Sequence, residues 1–364
     1  MPKAFYSKQG NKYICWKMKF QSITIKDIAK DLKLSVSTIS RALRDSHEIS
    51  RETKKLVMDY AKKMNYRPNP IALSLQTKRN KSIGIIISQI SNSFCSQVIN
   101  GIESVAYEKG YQISIVQTDE SYKREVEAAD YLSSRVDGLL ISLASETKDI
   151  SHFQSLDIQG MPMVFFDRVT TKIATHKTIS DNYQGAYKAV EHLIKEGFTK
   201  IAFIGGSKNL DIVQERNRGY IEALKDNQIK PLHQYIKYCP LGGIHFSETE
   251  KVLKELLRLK EKPDAILSCW DKVTADCYRY FRDNSIKMPE EIALIGFSNF
   301  PLTDYVCPSL SVIQQQSEGI GIKAATQLIS LLEKKRKPET FDMEILMPEL
   351  IIRASSKNKE TNVR

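Results

Sequence analysis

The stretch Ser35-Val-Ser-Thr-Ile-Ser-Arg41 combines residue types suited to contact with DNA. A helix that reads a base sequence presents short polar or apolar side chains near its N-terminus to base edges, flanked by donors for phosphates. Ser35 suits an N-cap, which puts Val36 and Ser37 in the exposed first turn and Arg41 about a turn further on. Arg41 has the reach to grip guanine O6 and N7 with two hydrogen bonds, or a phosphate, and a valine near the helix start favours a thymine methyl. The plainer alternatives are that Ser35 is only a cap and that Val36 is partly buried in a core.

The flanking residues predict the scaffold for such a helix. Thr24 is a plausible N-cap, and Ile25, Ile28, Ala29 and Leu32 follow at helical spacing. Lys33-Leu34 breaks that face, and Val36, Ile39, Ala42 and Leu43 open a second short helix. Ser50-Arg-Glu-Thr53 starts a third, with a carboxylate in the dipole-favourable first turn. Leu56, Val57, Tyr60, Ala61 and Met64 are expected to face inward, and Pro68 and Pro70 to stop the helix.

Charge points the same way. Residues 1–80 hold 18 Lys and Arg against 6 Asp and Glu, a net of +12; the whole chain sums to +11, which leaves −1 for residues 81–364. A basic module on a near-neutral body suits a polyanionic partner, because phosphate neutralisation releases counterions. The six cysteines are scattered without a CxxC pair, which reads as free thiols in a reducing compartment and not as a disulfide framework or a zinc site. No apolar run approaches the roughly 20 residues that span a bilayer, and residues 1–20 lack the unbroken apolar core of a signal peptide. A cytoplasmic, nucleoid-associated protein is expected. Residues 1–21 read as a disordered leader, and Met18 is a second candidate start of translation.

Residues 81–310 alternate strand-like apolar runs, such as Ile83–Ser88 and Ile201–Ile204, with amphipathic helices. That alternation predicts parallel, doubly wound sheets covered on both faces. The units are too many for one comfortable sheet, so two lobes are expected, with the break near Asp181.

Residues Thr24–Leu43, followed by Ser50-Arg-Glu-Thr53 and Asn65-Tyr-Arg-Pro-Asn69, closely resemble the lactose/galactose repressor family of bacterial regulators. The resemblance runs to about Ser356 through Val136-Asp-Gly138, Phe166-Asp-Arg168, Ser180-Asp-Asn182, Arg216-Asn-Arg-Gly-Tyr220, Pro289–Phe297 and Ile351-Ile-Arg353. It implies an all-α helix-turn-helix headpiece followed by an α/β body of two doubly wound parallel-sheet lobes, similar to periplasmic binding proteins. The expected division is a leader over 1–21, the headpiece over 22–66, a hinge over 67–80, a sensor over 81–356 and a tail over 357–364. Lobe 1 is expected over about 81–181 and 312–343, and lobe 2 over about 182–311 and 344–356.

The resemblance also implies roles. Val36, Ser37 and Arg41 would read bases, while Thr24, Ser35, Thr38 and Ser40 would hold the DNA backbone, with Tyr66 and Asn69 beside them. Leu75 matches a leucine that family members insert into the minor groove, a wedge that kinks the duplex. Leu73 and Gln76 depart from the basic residues of many relatives, and Leu73 and Leu75 could instead pack on the body.

Ligands of paired parallel-sheet lobes bind in the cleft at the carboxyl ends of the strands. The loops there offer Asn92, Phe94, Asp119, Asp167, Arg168, Asp181, Arg216, Trp270, Asp271, Ser298 and Gln315. Donors, acceptors and aromatic faces suit a sugar or sugar phosphate. A nucleobase or another metabolite remains open, because Ser93, Cys95 and Ser298 depart from the residues common in relatives. Asp181 and Asp271 have a purely structural alternative as helix caps. The expected protein is a homodimeric regulator, a repressor, on a pseudo-palindromic operator, with a small effector and no cofactor or metal. The rivals are a transport solute-binding protein, against which the basic headpiece argues, and an enzyme, for which no nucleophile elbow, phosphate loop or metal cluster is found.

Overall fold

A computed structural model describes residues 6–9, 12–15, 23–66, 80–334 and 336–357. The chain divides into two compact units, residues 1–80 and 81–364.

The first unit opens with strands β1 (Tyr6–Gln9) and β2 (Lys12–Cys15), paired antiparallel. The expectation of a structureless leader is corrected there. Gly10-Asn11 separates the strands, a pair that favours two-residue hairpin loops, and a signal of two residues is too short to register as a period. Three helices follow, α1 (Ile25–Asp31), α2 (Val36–Leu43) and α3 (Arg51–Lys63). Their N-caps are Thr24, Ser35 and Ser50, each side chain accepting a backbone N–H from three residues on. Each helix ends in the same way: Lys33, Asp45 and Asn65 take positive φ of 53°, 54° and 49°. The next N–H in each case reaches back to a helical carbonyl (Leu34 to Ala29, Ser46 to Arg41, Tyr66 to Ala61), which satisfies groups the helix end would orphan. The third helix thus stops at its own cap, ahead of the prolines. Ile28, Ala29, Ile39, Ala42, Val57 and Ala61 form the buried core. Leu56, expected inside, is 52% exposed, because the narrow face of α3 turned to two short helices admits only Val57 and Ala61 fully.

The second unit begins with β3 (Ser82–Ile87), α4 (Ser93–Glu108), β4 (Gln112–Gln117), α5 (Tyr122–Ser133), β5 (Gly138–Ile141), α6 (Ser151–Ile158), β6 (Met163–Phe166) and β7 (Lys177–Ser180). It continues with α7 (Asn182–Lys195), β8 (Ile201–Gly205), α8 (Asp211–Asp226), β9 (Ile236–Tyr238), α9 (Phe246–Leu257), β10 (Ala265–Ser268), α10 (Asp271–Asp283), β11 (Ala293–Phe297) and β12 (Ser311–Gln314). Last come α11 (Ser317–Glu333), β13 (Met343–Leu346) and β14 (Glu349–Ile351). Two six-stranded sheets result, in the orders β13-β7-β6-β5-β3-β4 and β14-β12-β11-β10-β8-β9. Every pairing in them is parallel except β12 with β14. Strands buried on both faces read as continuous apolar runs, as Ile83–Ile87 and Ala293–Phe297 do.

The chain first passes from one sheet to the other at Asp181, between β7 and α7. The other two crossings are displaced from the expected 312 and 344. β12 pairs with β11, and Val312 and Ile313 lie in lobe 2 cores, so the chain leaves lobe 2 after Gln314. β13 pairs with β7 (Ile345 beside Ile179), so the return follows Leu346. An apolar pair such as Val312-Ile313 fits either sheet by pattern; only the partner strand assigns it. Helix α11 then packs backbone to backbone on α4. A Cβ on Gly101 would stand 2.1 Å from the Glu318 carbonyl oxygen, and one on Gly321 2.1 Å from that of Val98, so neither position admits a side chain.

Candidate functional site

On the first unit the polar residues of α2 lie outward. Ser35, Val36, Ser37 and Arg41 are exposed, Val36 by 42%, while Thr38 and Ser40 are half-buried. Partial core burial of Val36 therefore does not hold. The Ser35 hydroxyl accepts the Thr38 N–H at 3.0 Å and lies 2.7 Å from Ser37 Oγ and 2.8 Å from Thr38 Oγ1, so capping and surface presentation coincide. Thr24 closes a capping box with Asp27. Ser40 is engaged by Arg44, which donates to its hydroxyl and its carbonyl. Arg41 Nε lies 3.2 Å from a Glu48 carboxylate oxygen. Tyr66 packs half-buried against the core, and burial pushes its hydroxyl pKa up. Asn69 and Leu75 lie outside the described residues.

On the second unit, nine of the eleven expected ligand residues converge. Asn92, Phe94, Asp167 and Arg168 from lobe 1 meet Arg216, Trp270, Asp271, Ser298 and Gln315 from the lobe 2 side around a pocket of about 40 Å³. Each stands just past a strand or in the first turns of the next helix, where parallel-sheet loops gather. Cys95, Ile212, Phe297 and Asn299 complete the wall. Phe297 and Asn299 flank Ser298 at the end of β11, two wall residues that the sequence reading did not name.

Arg216 is the buried centre, 3% exposed. It donates to Asn182 Oδ1 (2.8 Å), the Cys269 carbonyl (2.5 Å) and Gln315 Oε1 (3.2 Å), and its guanidinium lies 3.7 Å from the Phe297 ring centre. All three acceptors are neutral, and burial lowers its pKa to about 10. Arg168 is different. It makes a two-pronged pair with Glu120 (2.6 and 2.9 Å) and stacks 5.1 Å from the centre of the Trp270 ring. Burial pushes Glu120 up, but the guanidinium outweighs it and the carboxyl ends below its ordinary value; Arg168 is raised in return, against its own burial. Asp167 lies farther off, 3.9 Å from Arg168 Nε, without a two-pronged pair. Its carboxyl is raised by burial, with Arg168 and Arg216 only partly opposing. Burial likewise raises Asp271, against the hydroxyl of Ser298, which donates to it. Arg168 Nε and Gln315 Nε2 are buried and make no hydrogen bond in this structure.

Two expected residues fall elsewhere. Asp119 is 43% exposed and pairs with Arg124; its neighbour Glu120 is the one that turns inward, to Arg168, through a loop in which Asp119 and Glu120 both take positive φ. Asp181 caps α7, accepting the Gln184 N–H at 2.9 Å, and faces a second chamber of about 550 Å³ instead. That chamber adjoins the pocket through Asp167, Arg168 and Ile212 and includes Thr147, Thr170, Asn182 and Arg218 in its wall. Asp271 is not the cap of α10; that position belongs to Trp270. Among the described residues no group of three or more His, Cys, Asp and Glu is placed to hold a metal, and no helix is long and apolar enough to cross a membrane.

The sequence pattern of the bacterial regulatory proteins of the lacI family matches residues 24–69, and that of a periplasmic binding protein-like domain matches residues 190–356. The HTH-type transcriptional regulator RegA of Clostridium saccharobutylicum is 30% identical over 336 residues, 92% of this chain and 99% of that one. The chain belongs to the lacI family. It is a DNA-binding transcription regulator whose helical headpiece precedes two parallel-sheet lobes. The ribose operon repressor of Halalkalibacterium halodurans is 29% identical, with 93% of this chain and 98% of that one covered. A lacI-family regulator from Silicibacter pomeroyi has the same fold in a crystal structure, with a TM-score of 0.75, 25% identity, and 92% and 99% of the two chains covered.

Proposed function

We propose that this regulator is a homodimeric repressor whose affinity for a pseudo-palindromic operator is set by a neutral, polyhydroxylated effector, a sugar, bound between the lobes. Val36, Ser37 and Arg41 contact bases; Thr24, Ser35, Thr38 and Ser40 contact the backbone, with Tyr66 and Asn69 beside them. Residues 67–80, with Leu75 as the minor-groove wedge, couple the headpiece to the sensor over 81–356. Such a protein works in the cytoplasm, on the nucleoid.

One observation carries the choice of ligand: two carboxylates, the buried Asp167 and the half-buried Asp271, share a pocket with a single uncompensated guanidinium, Arg216. Glu120 has already neutralised Arg168. The carboxylates accept from hydroxyls, Arg216 donates to them, and Trp270 offers a ring face. A phosphate dianion would meet two acids and one free base, so a neutral sugar is favoured over its phosphate ester. The H. halodurans relative, named for a ribose operon, agrees with a sugar. The pocket is smaller than the roughly 300–1,000 Å³ of small-molecule sites, so binding requires the lobes to part there or the ligand to extend into the outer chamber. Hinged lobe motion of that kind couples ligand to DNA by ~1–3 kcal/mol in typical regulators.

Thermal-shift and calorimetric titration with neutral pentoses, hexoses and disaccharides, their phosphates, and purine bases tests this. A neutral sugar should bind, and Asp271→Asn should weaken it at least tenfold. Binding of phosphate esters alone, or of a purine alone, would overturn the sugar reading.

A further inference from the structure

We propose that Glu48 is a specificity-determining residue of the headpiece, holding Arg41 until DNA offers a better partner. The inference rests on the reading of Arg41 as a base contact. Glu48 lies in the loop between α2 and α3, 3.2 Å from Arg41, and the two side chains are 52% and 55% exposed. Among the described residues it is the one carboxylate paired with a side chain of α2.

The loop that carries it is built, not loose. The Ser46 N–H bonds the Arg41 carbonyl at 3.1 Å, closing the end of α2. The Glu48 N–H reaches Ser46 Oγ at 3.4 Å. Lys54 clamps Asp45 through its carboxylate (2.7 Å) and its carbonyl (3.1 Å), and Ile49 packs on the core. Glu48 is therefore presented to Arg41 by backbone geometry.

The consequence follows from charge. Glu48 repels phosphates and competes for the guanidinium, so it weakens binding to every duplex. An exposed ion pair is weak, however, and a guanine that offers O6 and N7 together can displace it with two bonds fixed in direction. A phosphate only exchanges one anion for another. The pair must break wherever a base takes Arg41, so Glu48 lowers affinity for DNA with the right base at least as much as for DNA without it, and it tempers the discrimination that Arg41 supplies.

The test uses the full-length protein and duplexes with a randomised core of roughly 20 bp, wide enough for two half-sites a helical turn apart. One enriched duplex and one scrambled duplex are then titrated with wild type, Glu48→Gln, Arg41→Met and the double variant. Glu48→Gln should tighten enriched-duplex binding roughly two- to fivefold, the range an exposed ion pair accounts for, and scrambled-duplex binding by less. In the Arg41→Met background it should act on both duplexes alike. An unchanged or lowered ratio of affinities in the single variant, or an equal change in both backgrounds, overturns the proposal. If Arg41→Met leaves the preference for the enriched duplex intact, the reading of Arg41 fails, which the two single variants separate from a failure of Glu48. Circular dichroism melting of each variant shows that the headpiece still folds.

Discussion

The headpiece and the cleft reach function by opposite routes. In the headpiece the candidate contacts from Ser35 to Arg41 span seven consecutive residues, and most are exposed. Its small core positions them by holding a helix. In the cleft the nine converging residues run from Asn92 to Gln315, and Arg168, Arg216, Ser298 and Gln315 are buried. There the groups proposed to meet a ligand also hold the fold: Arg216 ties α7, the end of β10 and the crossover after β12 through three hydrogen bonds. A surface that reads DNA can be changed without unfolding, whereas a buried site cannot be altered without a cost in stability.

That contrast is open to attack at several strengths. The largest effect is expected at Arg168. Arg168→Met strands the Glu120 carboxylate, only 16% exposed, and should destabilise the sensor by about 3 kcal/mol in denaturant unfolding. A neutral result would show that the cleft is as tolerant as the headpiece. Next comes Arg41→Met, which should lose about 1–3 kcal/mol of discrimination between cognate and scrambled duplexes in titrations. Its melting temperature should stay unchanged, and a parallel loss of stability would erase the distinction from the other side. Ser35→Ala is a hybrid, since that hydroxyl both caps α2 and faces outward; about 1 kcal/mol of headpiece stability should go, read by the helical signal of residues 1–80.

The smallest effect is a pH dependence confined to the sensor. His176 and His192 are buried, and burial lowers both pKa values; His192 Nε2 shares a hydrogen bond of 2.9 Å with Ser356. The folded state then binds fewer protons than the unfolded one. Their stabilisation is full above the unfolded value of about 6.5 and is lost as the pH falls through it toward the lowered folded values. Unfolding at pH 7.5 and 5.5 should show this loss, and His192→Gln should reduce it. A slope of equal size in the isolated headpiece, whose His47 is exposed, would contradict the assignment.

How much was legible in advance follows from the range of the forces involved. Thr24, Ser35 and Ser50 announce their helices because a cap bonds to its own neighbours within three residues. The strands of the two lobes show as apolar runs because burial on both faces leaves no alternation to decode. Strand ends mark where a cleft must lie, so most of its lining could be named one loop at a time. What escaped was decided across distance. Sheet membership of Val312 and Ile345 depends on β11 and β7, which no local pattern encodes. That Glu120, and not Asp119, turns inward depends on Arg168, which follows 48 residues later. The identity of Asp271 as a partner of Ser298, and the pairing of Arg41 with Glu48 around a turn, likewise came only with the folded chain. Sequence alone set the elements and the loops that could carry chemistry, because those follow from local hydrogen bonding and hydrophobic period. Tertiary structure alone settled which charges are spent on one another and which are left for a ligand, because Coulomb forces act on spatial neighbours and not on chain order.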